Sequence, residues 1–199
     1  MDERLSKQLR QVMGEPSNTD VTRSRRNVKE WFAGAAPLIQ WDVIGSPIGL
    51  LYVALSAKGL CRIDFDPDPA QFLARLDPLA RTERNPDALA PVARRFNEYF
   101  AGERKAFDLP LDLERLKPFQ CGVLQIALSI PLGKVWTYGR VAEALGKPKA
   151  SRAVGQALAH NPVPIVVPCH RVIASDGSLG GYAGGLERKR LLLRLEGAL

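Results

Sequence analysis

The sequence predicts an α+β fold in which a small antiparallel sheet is followed by a mostly helical region. Three short runs, residues 38–44, 50–55 and 60–65, are apolar or alternate between apolar and polar side chains. Beyond residue 118, apolar side chains instead recur at the spacing of a helix, between breaks that contain glycine or proline. A period of two is typical of half-buried strands, and a period of 3.6 is typical of amphipathic helices. The change of period therefore indicates a sheet first and a helical domain second.

The chain is predicted to have three parts. Residues 1–34 are polar, with little periodicity beyond a short helix predicted near residues 5–13, and we interpret them as an N-terminal extension. Residues 35–116 are predicted to form an N-terminal α/β domain, and residues 117–199 a C-terminal domain. A length of 199 residues is enough for one large domain or two small ones.

The N-terminal domain is predicted to contain a three-stranded antiparallel meander and two helices. Gly45-Ser46-Pro47 and Ala57-Lys58-Gly59 separate the three apolar runs, and both segments consist largely of residues that favour turns. Short turns of this kind join antiparallel neighbours. Helices are predicted around residues 69–81 and 89–100, and residues 101–116 lead onward.

The C-terminal domain is predicted to contain a helix-turn-helix. Apolar spacing predicts a first helix over residues 119–130. Thr137 is a suitable N-cap for a helix over residues 138–145, and the tight break Gly146-Lys147-Pro148 precedes a further short helix over residues 151–160. Two short helices joined by a glycine-containing turn form this motif, and in DNA-binding versions the second helix enters a groove. Many helical hairpins bind nothing, so the pattern alone leaves DNA binding open.

Charge is distributed unevenly along the chain. The formal net charge is +7, and residues 117–199 alone hold eleven Lys or Arg against four Asp or Glu, whereas residues 35–116 hold ten against twelve. A basic region attracts polyanions, of which nucleic acid is the commonest, although a solvated basic surface without a partner explains the charge equally well. The exposed side of the second helix would present Lys149, Arg152 and Gln156.

Composition excludes several other classes of protein. No segment is apolar enough to cross a membrane, and the first eleven residues carry charges where a signal peptide would need an apolar region. Three widely spaced cysteines do not form a disulfide framework, and two histidines without paired metal-ligand spacing predict no metal site. We therefore expect a cytoplasmic protein, or a nuclear one in a eukaryote, that needs no metal or other cofactor.

The segment Val167-Pro168-Cys169-His170-Arg171 is the strongest indication of chemistry. Only the thiolate of cysteine is strongly nucleophilic; a neighbouring cation or imidazole lowers the pKa of a thiol, whereas apolar burial raises it. A structural buried cysteine is the alternative, and it suits Cys61 and Cys121, which lie in ordinary apolar patterns. It suits Cys169 poorly, because prolines at 162, 164 and 168 prevent regular strand pairing around the thiol.

A glycine-rich stretch follows the cysteine. Residues 177–185 contain five glycines, but no GK[ST] follows them and no strand–turn–helix with GxGxxG surrounds them, so neither a phosphate loop nor a dinucleotide fingerprint is indicated. Glycines at this density allow backbone to approach a ligand closely. A leucine-rich helix is predicted over residues 186–195, with Glu196 at its end.

Two segments, residues 161–172 (NPVPIVVPCHRV) and 180–186 (GGYAGGL), resemble the O6-alkylguanine-DNA alkyltransferases. The resemblance extends over residues 119–196, and the PCHR core is highly specific. It implies a winged-helix-like C-terminal domain with a helix-turn-helix, and an N-terminal domain that is similar to ribonuclease H. It also implies a single-use DNA repair protein, which flips O6-alkylguanine out of the duplex and transfers the alkyl group irreversibly to its own cysteine. O4-alkylthymine is a possible second substrate.

The resemblance assigns roles to individual residues. Cys169 would be the nucleophile, His170 its base, and Glu196 would orient His170 through a chain of water molecules. Asn161 would hold the turn that carries the cysteine, and Tyr138 would support base flipping and donate a hydrogen bond to the departing guanine. The remaining implied contacts are with DNA, through Arg152 in place of the extruded base and through Lys149 and Gln156, and with the flipped base, through Val172, Tyr182, Ala183 and Pro164.

Other functions remain open at this stage. Relatives that only sense alkylated DNA lack the cysteine, a transcription regulator would not need PCHR, and a cysteine hydrolase would not need a basic helix-turn-helix. Ala183 stands where some family members have serine, so the size of alkyl group that the pocket accepts is open. The implied partner is double-stranded DNA containing O6-alkylguanine, bound by a monomer, with clustering on DNA left open.

Overall fold

A four-stranded sheet opens the computed structural model, which describes residues 36–199. The strands are β1 (Leu38–Ser46), β2 (Gly49–Ser56), β3 (Gly59–Phe65) and β4 (Arg81–Arg84), and they lie in the order β3-β2-β1-β4. β1, β2 and β3 form the predicted antiparallel meander, whereas β4 pairs parallel to β1. The α+β class is confirmed, and the sheet has one strand more than predicted.

The fourth strand lies where the sequence predicted the end of a helix. The helix predicted over residues 69–81 is in fact a short helix α1 (Pro69–Ala74), which Asp68 caps by accepting hydrogen bonds from Ala70 N and Gln71 N. All four residues of β4 are exposed, so the strand has no apolar alternation that a sequence pattern could detect. Its pairing with the edge of β1 is a tertiary effect.

Helix α2 (Pro86–Phe100) covers one face of the sheet. Asn85 caps it by accepting a hydrogen bond from Ala88 N. Its buried residues recur three or four positions apart, and they are Leu89, Val92, Phe96 and Tyr99. This spacing places them on a single face of the helix, so α2 packs as the amphipathic pattern predicts.

Three helices begin the second half of the described chain. They are α3 (Pro118–Leu128), α4 (Tyr138–Ala144) and α5 (Ser151–Ala159). The predicted cap is present, because Thr137 Oγ1 accepts a hydrogen bond from Arg140 N at 3.1 Å. The turn between α4 and α5 contains Gly146 in the left-handed region, at φ +71°, as the predicted helix-turn-helix requires.

A short two-stranded sheet and one helix complete the fold. β5 (Trp136–Thr137) pairs parallel with β6 (Val172–Ile173), and this pairing connects the start of the helix-turn-helix to the segment that follows the PCHR motif. Helix α6 (Leu186–Leu195) ends the described chain. Within residues 36–199, no helix is long and apolar enough to cross a membrane, and no group of three or more His, Cys, Asp or Glu could hold a metal ion.

The hydrophobic core is continuous across residue 117. One cluster combines residues of the sheet, of α2 and of the C-terminal helices, and it includes Cys169. A smaller cluster on the other face of the sheet contains Ile39, Ala54, Phe72 and Leu76. Residues 38–199 accordingly form one compact unit. The predicted extension over residues 1–34, with its short helix, lies outside the described residues.

Candidate active site

Asn161 fixes the segment that leads to the cysteine. Its side-chain Oδ1 accepts a hydrogen bond from Val163 N at 3.0 Å, while Nδ2 donates to Val167 O at 2.9 Å. The same Nδ2 lies 3.2 Å from the sulfur of Cys169. The side-chain amide of Asn161 therefore holds both ends of the segment 163–167 and also contacts the thiol. It can do so because asparagine offers both an acceptor and two donors.

Backbone strain occurs within this loop. Ile165 has a φ of +72° and is 1% exposed. A β-branched residue in the left-handed region is an outlier that costs about 1–3 kcal/mol and persists only when the surrounding structure enforces it. The loop also contains Pro162 and Pro164, and an isolated bridge joins Pro164 to Val167. The approach to Cys169 is thus held in a conformation that an unconstrained chain would avoid.

The last three residues of the PCHR motif, Cys169–Arg171, form one turn of 3₁₀ helix. On an extended strand the side chains of Cys169 and His170 would point to opposite faces. In the 3₁₀ turn both side chains are instead buried, Cys169 at 7% exposure and His170 fully. Burial raises the pKa of the Cys169 thiol, against the opposing effects of the Asn161 hydrogen bond and the positive charge of Lys189. The resting group is therefore a thiol that needs a base.

His170 and Glu196 are in direct contact. Nε2 of the imidazole lies 3.0 Å from Oε1 of the carboxylate, so the water chain expected between them is not needed. Burial lowers the pKa of His170 and outweighs the opposing effect of Glu196. A neutral imidazole that donates from Nε2 carries its lone pair on Nδ1. Nδ1 is buried and has no hydrogen-bond partner among the described residues.

Arg171 holds the carboxylate in place. Its Nε donates to Glu196 Oε2 at 2.8 Å and its Nη2 to Oε1 at 2.9 Å, while Nη1 donates to Ile130 O at 2.5 Å. Burial by itself would raise the pKa of Glu196, but the hydrogen bonds from His170, Arg171 and Tyr99 outweigh it and lower the pKa to about 2. Glu196 is consequently ionised at neutral pH, and its buried charge is compensated.

Two further buried residues belong to the site, and the sequence analysis did not identify either of them. Tyr99 Oη donates to Glu196 Oε1 at 2.7 Å. Lys189 is fully buried, and its Nζ donates to Val172 O at 2.6 Å and also to Leu179 O. Burial lowers the pKa of Lys189 to about 8, although the charge of Cys169 acts in the opposite direction.

Tyr138 lies against the glycine-rich stretch at Gly180. Burial raises the pKa of Tyr138, and a negative charge on Cys169 would raise it further. Gly180 has a φ of +64°, and a Cβ built there would lie 2.9 Å from the Tyr138 hydroxyl. Glycine is therefore required at this position both by conformation and by space.

The residues expected to bind the base lie around the same region. Val172 and Pro164 are buried, Tyr182 is half-buried and Ala183 is exposed. The Tyr182 hydroxyl is buried without a hydrogen-bond partner among the described residues. Two of these four residues, Pro164 and Ala183, line a cavity of about 640 Å³, as does Asn161.

The expected DNA contacts are located on the surface. Lys149, Arg152 and Gln156 are all exposed, whereas the opposite face of α5 buries Val154 and Leu158. Within residues 36–199, neither lysine nor arginine of this group forms a salt bridge. The structure thus brings Cys169 against Asn161 and His170 against Glu196, and it places Tyr138 at Gly180. The expected DNA contacts, Lys149, Arg152 and Gln156, lie on an outer face.

Known proteins share both halves of this architecture. The ribonuclease-like domain of the 6-O-methylguanine DNA methyltransferases matches residues 39–113, and the DNA-binding domain of the same proteins matches residues 118–198. The methylated-DNA–protein-cysteine methyltransferase of Mycolicibacterium paratuberculosis is 44% identical over 162 residues, which cover 80% of this chain and 93% of the relative. The corresponding protein of Methanosarcina barkeri is 42% identical over 156 residues, covering 78% and 96%.

Solved structures agree with these matches. The crystal structure of Mycobacterium tuberculosis OGT in complex with DNA superposes with a TM-score of 0.70 at 40% identity, covering 81% of this chain and 93% of that one. The O6-methylguanine-DNA methyltransferase of Pyrococcus kodakaraensis gives a TM-score of 0.54 at 27% identity, covering 80% and 99%. The resemblance inferred from residues 161–172 and 180–186 is confirmed, and the chain belongs to the methylated-DNA–protein-cysteine methyltransferase family.

Proposed function

We propose that this protein repairs double-stranded DNA by transferring the alkyl group of O6-alkylguanine to the sulfur of its own Cys169, once per molecule. The observation that carries the proposal is a buried thiol that contacts Asn161 and precedes a neutral imidazole whose other nitrogen is held by an ionised carboxylate. A nucleophile, a base and a group that orients the base are the parts that covalent catalysis by a thiol requires.

The transfer balances as a displacement at the alkyl carbon. His170 accepts the thiol proton at Nδ1, the nitrogen that does not bond to Glu196. The thiolate attacks the alkyl carbon, so the C–S bond forms while the bond from carbon to O6 breaks and its electrons stay with guanine. Guanine leaves with a proton donated by Tyr138, whose raised pKa keeps it protonated until that moment. The thioether has no easy leaving group, so the thiol is not regenerated.

Access to the buried thiol requires the nucleotide to leave the duplex. Extrusion costs a few kcal/mol, which an inserted side chain and a fitted pocket can offset. Arg152 is exposed on α5, the second helix of the helix-turn-helix, and we assign it the space that the flipped base vacates. Lys149 and Gln156 would contact the DNA from the same side. We assign base recognition to Val172, Tyr182, Ala183 and Pro164, of which Pro164 and Ala183 line the cavity.

This scheme assigns a role to each part of the chain. We propose that residues 117–199 bind DNA and perform the transfer, that residues 35–116 form a supporting α/β domain, and that residues 1–34 are an extension. Cys61, Cys121 and Cys169 are all free, which suits a reducing compartment, so we place the reaction in the cytoplasm, or in the nucleus of a eukaryote. O4-alkylthymine, with an alkyl group on a similarly placed oxygen, is a second substrate candidate.

Mass spectrometry of the intact protein tests the proposal. After incubation with duplex DNA containing O6-methylguanine, the protein should gain one methyl group, and peptide mapping should locate it on Cys169. Cys169→Ala should abolish transfer and retain DNA binding, whereas Cys61→Ala and Cys121→Ala, the matched controls, should each still accept one group. Methyl found on another cysteine, or more than one group removed per protein molecule, would rule the proposal out. DNA binding without transfer by the unaltered protein would indicate a sensor instead.

A further inference from the structure

We propose that Tyr99 is a positioning residue for the transfer reaction, contributed by the N-terminal part of the chain. Its hydroxyl holds Glu196 and sets how strongly that carboxylate binds His170. The inference rests on the proposed function, because it concerns the base of the same reaction. It goes beyond that function in giving α2 a part in the chemistry, where the domain of residues 35–116 otherwise only supports the site.

The contact is short and buried. Tyr99 is 2% exposed, and its Oη lies 2.7 Å from Glu196 Oε1. That oxygen accepts two more hydrogen bonds, from His170 Nε2 at 3.0 Å and from Arg171 Nη2 at 2.9 Å. Tyr99 therefore makes the shortest of three contacts that compete for one carboxylate oxygen.

Charge determines the direction of this hydrogen bond. Burial raises the pKa of Tyr99, and the negative charge of Glu196 raises it further, so the phenol keeps its proton and donates a hydrogen bond to the carboxylate. Donation withdraws negative charge from Oε1. Less charge then remains to stabilise a protonated His170, so the hydroxyl both fixes the position of Oε1 and limits the basicity of the imidazole.

The phenol ring is held independently of its hydroxyl. The centroids of Phe100 and Phe107 lie 5.2 Å and 5.0 Å from that of Tyr99. The buried face of α2 also includes Phe96 and Val92, which belong to the same core cluster. Replacement by phenylalanine keeps these ring contacts and removes only the donor, so the substitution isolates the hydrogen bond.

Other titratable or charged groups also surround His170, and each stays in place in that variant. The 3₁₀ turn contributes Arg171, α6 contributes Lys189, and Glu196 follows at the C-cap of α6. Of the described groups, only Tyr99, His170 and Arg171 donate to the Glu196 carboxylate.

The test compares Tyr99→Phe with Tyr52→Phe in the full chain. Tyr52 lies on β2 against the smaller core cluster, so the same chemical change occurs away from the site. Single-turnover transfer is measured against pH. Without the hydroxyl, His170 should keep its proton to higher pH. The transfer rate at acid pH should therefore fall about three- to tenfold, which corresponds to the net free energy of one hydrogen bond. Tyr52→Phe should retain the unaltered profile.

Nuclear magnetic resonance provides a readout that does not depend on transfer. The chain has only two histidines, and His160 is exposed, so it serves as an internal control for His170. The Nε2 proton of His170 should move downfield in Tyr99→Phe, because its hydrogen bond to Oε1 strengthens, while the His160 signals stay in place.

Each outcome decides the question. If the chemical shift of the Nε2 proton is the same in Tyr99→Phe as in the unaltered protein, the proposal is overturned. It is also overturned if the shift changes but the transfer rate at acid pH does not, because the contact then has no effect on the reaction. If the unaltered protein transfers no alkyl group but the proton moves, the proposed function fails while the effect of Tyr99 on His170 stands.

Discussion

Arg171→Met should be strongly destabilising, although Arg171 does not touch the reacting atoms. The guanidinium makes three buried hydrogen bonds, two of them to Glu196, and methionine fills similar space without a donor. The pKa of Glu196 falls from 4.5 to about 2 in the folded protein, which corresponds to about 3 kcal/mol of stability. Removing one partner of a buried pair costs about 3–5 kcal/mol, because the remaining charge is left uncompensated.

Thermal unfolding measures this loss. For a chain of this size, 1 kcal/mol corresponds to about 2–4 °C, so a loss of about 3–5 kcal/mol should lower the midpoint by about 6–20 °C at neutral pH. Arg104→Met is the matched control, because Arg104 bonds to Glu98 at 2.7 Å with both side chains partly exposed. A pair of that kind contributes at most about 1 kcal/mol.

The pH dependence identifies the cause. A carboxylate whose pKa is depressed by folding stabilises the protein fully above its unfolded pKa, and the contribution disappears as pH falls through its folded pKa. The difference between the unaltered protein and Arg171→Met should therefore be constant above pH 4.5 and shrink between pH 4.5 and about 2. A difference that persists unchanged across that window would refute the electrostatic explanation and leave lost packing as the cause.

Three further outcomes are expected from the proposed function. Arg152→Ala should slow transfer from duplex DNA far more than transfer from free O6-alkylguanine, which needs no flipping; equal losses in the two kinetic assays would show that Arg152 serves the pocket or the fold. Gly180→Ala should destabilise the protein by about 1 kcal/mol and also slow single-turnover transfer, because the new Cβ meets the Tyr138 hydroxyl. Gly177 has a similar backbone conformation, but nothing lies close to a Cβ added there, so Gly177→Ala should lower the melting temperature without slowing transfer. Affinity for duplex DNA, measured by fluorescence titration, should fall with salt by about 0.9 logarithmic units per tenfold change for each neutralised phosphate, and an affinity independent of salt would contradict binding through the basic C-terminal part.

Local patterns were enough to predict most elements of the fold. The meander follows from two turn segments that separate short apolar runs, and the cap at Thr137 follows from residue type alone. β4 could not be predicted in this way, since Arg81–Arg84 is charged, exposed and paired only through the edge of β1. Its formation depends on a partner strand whose paired residues lie 43 positions earlier in the chain.

The residues of the site also fall into those that local sequence predicts and those that it does not. Cys169 and His170 are adjacent, and a proline-rich apolar approach marks them in the sequence. Tyr99 resembles an ordinary core aromatic of α2, because nothing local indicates that a carboxylate 97 residues away accepts a hydrogen bond from its hydroxyl. Lys189 left a weak signal: it precedes Leu192 and Leu193 by three and four positions and therefore lies on the buried face of α6. A cation on an apolar face indicates a site that supplies acceptors for it.

The strained Ile165 has a consequence for the lifetime of the folded molecule. Left-handed backbone at a β-branched residue raises the energy of the native state by an amount comparable with a substantial part of the net stability of a typical domain. In a protein that had to stay folded through many turnovers, selection would favour glycine at this position, because glycine adopts this conformation without strain. A protein that reacts once needs its geometry only until that event. Durability beyond the first turnover therefore exerts no pressure to relax the loop.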